Sequence, residues 1–278
     1  MEPQILLDNL CFGEGPRWRN GALWLADMYD RKVLRVQTDG SHATIVQLAD
    51  DEPSGLGWLP DGDLLIVSMR KRQLLRFNGR QLTVHADLGN LATGYCNDMV
   101  VDQSGRAYVG NFGFDLHNGA EPAPAQLIRV EADGTAAVED DDLMFPNGAV
   151  ITPDGSSLIV AETLAGRLTA YDVAGDGSLR NKRTWAQLPE GAVPDGICLD
   201  AEGGIWSASP LSKECVRQLE HGEVTHRIEL DRSAIACTIG AGKLYVLTAA
   251  SLEPDQCRAS RDGRVEVYAA PYAAAGHP

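Results

Sequence analysis

The sequence predicts an all-β fold, a six-bladed β-propeller with four strands in each blade. Short apolar strands that begin beside a similar residue recur at intervals of 40, 43, 50, 48 and 42 residues. Inside these units a second apolar strand follows a glycine-bearing turn, and most units contain a third strand. Repeats of about 40 to 50 residues are typical of propeller blades, and no long stretch shows the 3.6-residue period of a helix.

Each unit begins with a residue that we call its leading residue, placed directly before the first apolar strand. Residues 145–155 show the pattern, because Asn147 is followed by Gly148, a strand-forming run and the turn Pro153-Asp154-Gly155. The innermost strands of a propeller line a central channel, so the leading residues are expected to converge there. The leading residues of the six units are Glu14, Ser54, Asn97, Asn147, Asp195 and Cys237.

The other strands of each unit can be placed in order along the chain. Second strands are predicted at residues 22–26, 63–67, 106–110, 157–161, 204–208 and 243–247. Third strands are predicted at residues 32–36, 73–77, 126–130, 167–171 and 264–268. Fourth strands, which have a weaker pattern, are predicted near residues 44–48, 82–86, 136–139, 182–188 and 224–230.

The two ends of the chain are predicted to meet in the last blade. Residues 4–7 would supply its outer strand, which closes the ring and removes the open sheet edge at the seam. All strands then serve one ring, so we expect a single domain over residues 1–278. Residues 269–278, which are rich in Ala and contain Gly and Pro, are expected to form a flexible tail.

Two units contain an insertion between their second and third strands. The insertion of the third unit covers residues 111–124, and that of the sixth covers residues 251–262. Loops of this length in a compact repeat are commonly binding loops. We expect the first insertion to shape a binding pocket.

The formal net charge of −15 and the isoelectric point near 4.7 limit the choice of partners. An acidic surface repels a polyanion, so nucleic acid is not expected to bind. The sequence shows no export signal in its first residues and no apolar run long enough to span a membrane, so we expect a cytoplasmic protein. The six cysteines are scattered without a CxxC pair and are expected to be reduced, buried thiols.

Four of the leading residues carry oxygen atoms suited to a hard cation. Glu14 and Asp195 are carboxylates, and Asn97 and Asn147 are carboxamides. An all-oxygen set that includes two negative charges is suited to one divalent ion, with Ca²⁺ favoured and Mg²⁺, Mn²⁺, Zn²⁺ or Fe²⁺ also compatible. Asp-Gly and Asn-Gly are common turn dipeptides, so any one position alone would be interpreted as a turn. Their shared phase in four repeats favours a common metal site.

Several of these segments together resemble one known family. Residues 12–18 (Phe-Gly-Glu-Gly-Pro-Arg-Trp), Asn97-Asp98, residues 145–148 (Phe-Pro-Asn-Gly) and residues 193–196 (Val-Pro-Asp-Gly) are similar to the gluconolactonase, senescence marker protein and luciferin-regenerating enzyme family. The resemblance covers essentially the whole chain. It implies a six-bladed propeller with one catalytic divalent metal held by Glu14, Asn147 and Asp195, and with Asn97 as a further ligand or a substrate contact.

The third unit departs from the pattern of this family. Members that act on sugar lactones tend to carry an arginine two residues before the leading asparagine, where this chain has Tyr95. We therefore favour a lactone or activated ester with an apolar or aromatic part, and aldonolactones are kept as an alternative. The residues expected to bind substrate are Tyr95, Asn97, Asn111, Phe112, Phe114 and His117.

The predicted reaction is metal-assisted hydrolysis of a cyclic ester. Asp195 would take a proton from the attacking water and pass it to the leaving alkoxide. No Gly-x-Ser-x-Gly motif surrounds Ser54, so no protein nucleophile is expected. Two alternatives are kept: hydrolysis of phosphotriesters, and a non-catalytic propeller in which the metal is structural and the channel binds a peptide or small ligand. The sequence does not indicate an oligomeric state.

Overall fold

The computed structural model describes residues 3–277, and these residues form six four-stranded antiparallel sheets. Each sheet is one blade, and neighbouring blades contact each other in chain order around a ring, with the sixth blade beside the first. The predicted six-bladed β-propeller is therefore confirmed.

The strands of blades one to three follow each other from the channel outwards. Blade one contains β2 (Gly13–Arg19), β3 (Ala22–Asp27), β4 (Lys32–Val36) and β5 (His42–Gln47). Blade two contains β6 (Pro53–Trp58), β7 (Leu64–Ser68), β8 (Gln73–Phe77) and β9 (Leu82–Asp87). Blade three contains β10 (Cys96–Val101), β11 (Ala107–Asn111), β12 (Ala125–Val130) and β13 (Ala136–Leu143).

Blades four and five repeat this order, and blade six takes its outer strand from the start of the chain. Blade four contains β14 (Pro146–Ile151), β15 (Ser157–Glu162), β16 (Arg167–Val173) and β17 (Leu179–Gln187). Blade five contains β18 (Ile197–Leu199), β19 (Ile205–Ser209), β20 (Glu214–Gln218) and β21 (Val224–Glu229). Blade six contains β22 (Ser233–Gly240), β23 (Lys243–Ala249), β24 (Gly263–Ala269) and β1 (Gln4–Leu10).

The ring is closed by β1, which pairs with β24 from Gln4 opposite Val267 to Leu10 opposite Gly263. The N-terminal strand thus closes the last blade, as the sequence predicts. The connections also contain short helices: α1 (Pro254–Ser260) and three 3-10 helices at Leu116–Asn118, Thr163–Ala165 and Glu220–Gly222. Among residues 3–277, no helix has the length and apolar character needed to cross a membrane.

The core lies between neighbouring blades. Between blades one and two, Val33, Leu56 and Ile66 belong to one cluster of buried side chains. Between blades three and four, Val100 and Val160 belong to another. Burying one such side chain stabilises a fold by about 1.5 to 3 kcal/mol, so these contacts hold the blades together.

The glycine that follows several leading residues lets the innermost strands touch. Gly148 lies inside β14 rather than in a turn, and its backbone nitrogen donates to the carbonyl oxygen of Asp195 at 3.2 Å. A Cβ atom at Gly148 would lie 2.7 Å from that oxygen, and one at Gly196 would lie 2.3 Å from the Cβ of Ala236. Close packing of the strands at the axis therefore requires glycine at these two positions.

The leading position of blade six is not the predicted one. The first paired residue of its innermost strand is Ser233, which corresponds to Pro146 in blade four. The residue that corresponds to Asn147 is therefore Ala234, and the prediction that Cys237 leads this blade is wrong. No glycine follows Ala234 to mark the register. Blade six thus places a methyl group where four other blades place an oxygen-bearing ligand candidate.

All six cysteines are buried and free, as predicted. Cys198 and Cys237 occupy equivalent positions in blades five and six, and their sulfur atoms lie 3.7 Å apart. Both belong to the apolar cluster between these blades. Their position indicates a packing role rather than contact with the channel.

Residues 270–277 cross the end of the ring at which the innermost strands finish. The backbone of His277 exchanges hydrogen bonds of 2.8 and 2.9 Å with Ile151 at the end of β14. The backbone nitrogen of Ala275 donates to the carbonyl oxygen of Leu199 at 3.0 Å. These bonds fix a path for the segment, and the flexibility predicted for residues 269–278 stays a prediction.

The close contact at Gly148 predicts a stability difference between two glycine variants. Gly148→Ala should lower the free energy of unfolding by about 1 to 3 kcal/mol, because the added methyl group overlaps blade five. Gly175→Ala is the control, since a Cβ there would meet no atom within 4 Å; its effect should stay within about 0.5 kcal/mol. Urea unfolding measures both. Equal stabilities would contradict the proposed role of Gly148.

Candidate active site

A cavity of about 740 Å³ opens at the end of the ring where the innermost strands begin. The four predicted metal ligands all line it, although they lie in four different blades. Glu14, Asn97 and Asn147 are each the second residue of an innermost strand, and Asp195 lies two residues before β18. The structure thus brings together the residues Glu14, Asn97, Asn147 and Asp195.

Negative charges are crowded at the bottom of this cavity. Burial and the charge of Asp195 raise the pKa of Glu14 well above its usual value, and the charge of Asp98 raises it further. Burial and the charge of Asp98 likewise raise the pKa of Asp195, against a lowering contribution from the Asn147 amide. The ionised form of a carboxyl group that is buried beside other carboxylates is stabilised by a nearby cation. The arrangement therefore favours a bound positive charge.

The two amides turn their nitrogen atoms toward the protein. The Nδ2 of Asn147 donates to the Oγ1 of Thr163 at 3.3 Å, and the Nδ2 of Asn97 donates to the carbonyl oxygen of Pro146 at 3.5 Å. The Oδ1 atoms of Asn147 and Asp195 are buried and have no hydrogen-bond partner among the described residues. Buried polar atoms without a partner are rare and call for an explanation.

This donor set fits a divalent cation that prefers oxygen. Among residues 3–277, no three His, Cys, Asp or Glu side chains form a metal-binding group. A metal at this site would therefore depend on the oxygen atoms of Asn97 and Asn147 as well as on the carboxylates of Glu14 and Asp195. Carboxylate and amide oxygens are ligands of Ca²⁺, and carboxylates also bind Mg²⁺ and Mn²⁺.

A buried ion pair that was not predicted from the sequence lies beneath these ligands. The Nη2 of Arg17 lies 2.7 Å from the Oδ1 of Asp98, and both side chains are only 4% exposed. Arg17 also donates to the backbone carbonyl oxygens of Leu56 and Met99, so its side chain ties blade one to blades two and three. The sequence gives one indication of this pair, which is that the charged residue Arg17 lies within a predicted innermost strand.

Three of the predicted substrate contacts line the cavity, and three do not. Asn97, Phe112 and His117 lie in its wall. Asn111 is fully buried, and its Oδ1 accepts hydrogen bonds from the backbone nitrogens of residues 94 and 113, so it braces the loop. Tyr95 and Phe114 line a smaller neighbouring cavity instead. The ring of Tyr95 lies 5.5 Å from that of His117, so Tyr95 supports the wall from behind.

The sixth blade also contributes to the wall, through its predicted insertion. Residues 252–256 line the cavity, and none of them was predicted as a substrate contact. Arg258 in α1 holds this segment against blades one and two, because its Nη2 donates to the Oε1 of Glu52 at 2.9 Å. Its guanidinium carbon also lies 5.0 Å from the centre of the Tyr29 ring. The two insertions therefore both shape the cavity.

The sequence has relatives over most of its length. A family model described as "SMP-30/Gluconolactonase/LRE-like region" matches residues 12–250. An L-arabinolactonase of Azospirillum brasilense is 30% identical over 252 residues, which cover 85% of this chain and 80% of the relative. A pentonolactonase of Haloferax volcanii is 28% identical and covers 73% of this chain and 68% of the relative. Regucalcin of Gallus gallus is 25% identical, with 87% and 84% covered.

Solved structures share the fold. A gluconolactonase of Xanthomonas campestris is 25% identical with a TM-score of 0.76, and the match covers 95% of this chain and 88% of the other. A regucalcin of Agrobacterium tumefaciens, described as a calcium-binding protein, is 22% identical with a TM-score of 0.80, and covers 99% and 95%.

The buried pair beneath the ligands predicts a large stability effect. Arg17→Met should lower the free energy of unfolding by about 3 to 5 kcal/mol, because it leaves the Asp98 carboxylate buried without its partner. The control is Arg183→Met, whose partner Asp172 is 48% exposed and which should cost less than about 1 kcal/mol. Denaturant unfolding compares the two. A loss in Arg17→Met no larger than that in the control would contradict the role of this pair.

Proposed function

The chain belongs to the SMP-30/gluconolactonase/LRE-like family, and we propose that it is a lactonase that opens a cyclic ester with the help of one divalent cation. The names of its relatives support this activity, since they include an L-arabinolactonase and a pentonolactonase. The observation that carries the proposal is the convergence of four oxygen-bearing side chains, from four blades, on one open cavity.

We infer that Glu14, Asn147 and Asp195 hold the cation, with Asn97 as a further ligand or a contact to substrate. The unpartnered oxygen atoms and the crowded carboxylates support this assignment. Ca²⁺ is favoured, since one structural relative is described as a calcium-binding protein. When bound, such a cation supplies Lewis-acid polarisation of an ester carbonyl and makes water more acidic.

The residues of the chain account for the proton transfers. The carboxylate oxygen of Asp195 that the cation would leave free is proposed to accept a proton from the attacking water while the new carbon–oxygen bond forms. When the ring carbon–oxygen bond breaks, the same atom returns the proton to the leaving alkoxide, which gives an open-chain hydroxy acid. Asn97 would bind the lactone ring, and the rings of Phe112 and Phe145, which line the cavity, would exclude water from one side.

No side chain is needed as a nucleophile. The hydroxyl group of Ser54 is fully buried and does not line the cavity, so it cannot attack a substrate there. The cavity beside the ligands is large enough for either catalysis or ligand binding, and the names of the relatives favour an enzyme. About 740 Å³ beside the ligands leaves room for a small molecule.

The proposed reaction predicts loss of activity when the cation or Asp195 is removed. Chelation should abolish hydrolysis of a lactone panel, and restoring Ca²⁺, Mg²⁺ or Mn²⁺ one at a time should identify the active metal. Asp195→Asn should lower kcat by at least about 100-fold, because a general base is lost. The exposed residue Asp172 provides the control variant Asp172→Asn, which should retain full activity. A pH-stat measures acid release. Full activity after complete chelation would overturn the metal-dependent scheme.

Cation binding can also be tested without turnover. Free Ca²⁺ at 100 times its dissociation constant should stabilise the folded protein by about 2.7 kcal/mol. This corresponds to a rise in Tm of roughly 5 to 10 °C. Asn147→Ala should remove this increment, because it deletes a predicted ligand oxygen. Asn90→Ala, at an exposed position, should keep it. Differential scanning calorimetry with and without Ca²⁺ measures both. An unchanged increment in Asn147→Ala would contradict the assignment of this ligand.

A further inference from the structure

We propose that the substrate is a lactone that carries an apolar substituent, such as an alkyl chain or an aryl group, rather than a polyhydroxylated sugar lactone. This inference rests on the proposed lactonase function and concerns the same cavity. It is carried by the side chains that line the cavity between the predicted ligands and its mouth.

The wall beside the ligands is aromatic and apolar. The rings of Phe112 and Phe145 are stacked, with centroids 4.5 Å apart and planes inclined by 13°. Phe12, Met28 and Met69 line the same cavity. These groups offer no hydrogen bond to a hydroxyl group, and a sugar placed against them would lose its bonds to water. An apolar substituent gains free energy at the same place.

Two of the three carboxylates that line the cavity outside the predicted ligand set are paired with Arg258. Among the described residues, no Lys or Arg lines the cavity. The carboxylates of Glu52 and Asp255 do line it, but both accept hydrogen bonds from Arg258, at 2.9 and 3.0 Å. Glu52 is also buried, which makes it a poorer partner for the hydroxyl groups of a sugar. Glu253, Gln256 and His117 line the cavity on the two insertions, so the apolar part of the path is the wall that contains Phe112 and Phe145.

Two leucines at the mouth are exposed although they line the cavity. Leu116 is 44% exposed and Leu252 is 40% exposed. They belong to the insertions of blades three and six, which lie on opposite sides of the ring. A substituent that leaves the cavity would pass the insertions that carry them. Single exposed leucines are common on protein surfaces, but two that line the same cavity favour an apolar ligand.

The experiment compares lactones of graded chain length on the metal-loaded enzyme. The series runs from γ-butyrolactone to γ-nonalactone, with L-arabinono-1,4-lactone and glucono-1,5-lactone as sugar references. The expected result is that kcat/KM rises with each methylene, by up to about fourfold per buried CH₂, until the chain passes the mouth. The longer alkyl lactones should exceed both sugar lactones.

Variants at the mouth test the same inference. Leu116→Ser and Leu252→Ser should flatten the dependence of kcat/KM on alkyl chain length. Leu164 is the matched control, because it is 47% exposed and does not line the cavity, and Leu164→Ser should keep the full gradient. All three positions are exposed, so the variants are expected to fold.

The outcomes separate this inference from the function on which it rests. Preference for the sugar lactones, with no dependence on alkyl chain length, would overturn the inference and leave the lactonase function standing. Hydrolysis of no lactone in the panel would overturn both. If kcat/KM still rises with alkyl chain length in Leu116→Ser and Leu252→Ser, the inference is also contradicted, because the substituent would then not reach the mouth.

Discussion

The structure depends on how closely the innermost strands approach each other around the axis. At Gly148 and Gly196 the strands of neighbouring blades touch so closely that a single methyl group would overlap the next strand. Residues that are 40 to 50 positions apart in the chain are thereby held side by side. The close packing of the innermost strands therefore places Glu14, Asn147 and Asp195 around one cavity.

This packing has an electrostatic consequence. Glu14, Asp195 and Asp98 are all buried near the axis, and Arg17 is the positive side chain that pairs with one of them. Burial and mutual repulsion raise the pKa of both Glu14 and Asp195, so their ionised forms are unfavourable without a counter-charge. If Glu14, Asp98, Asp195 and Arg17 are all charged, their net charge is −2, which a divalent cation balances. The fold and the proposed chemistry thus have a common physical origin.

Much of this could be predicted from the sequence, because a glycine after the leading residue marks the register of blades one, two, four and five. The marker is absent after Ala234, and the leading position of blade six was therefore misplaced at Cys237. The pair of Arg17 and Asp98 joins residues 81 positions apart, and nothing in either local sequence indicates the partner. The insertions were recognised, but the side chains that face the cavity depend on loop conformation, and Asn111 proved to brace its loop.

The most direct test of the central claim is anomalous diffraction from crystals soaked in Mn²⁺. The account predicts a strong anomalous peak at the axis, within bonding distance of oxygen atoms of Glu14, Asn147 and Asp195. It would be contradicted by well-ordered density for these side chains with no peak between them, or by a peak bound only at other residues.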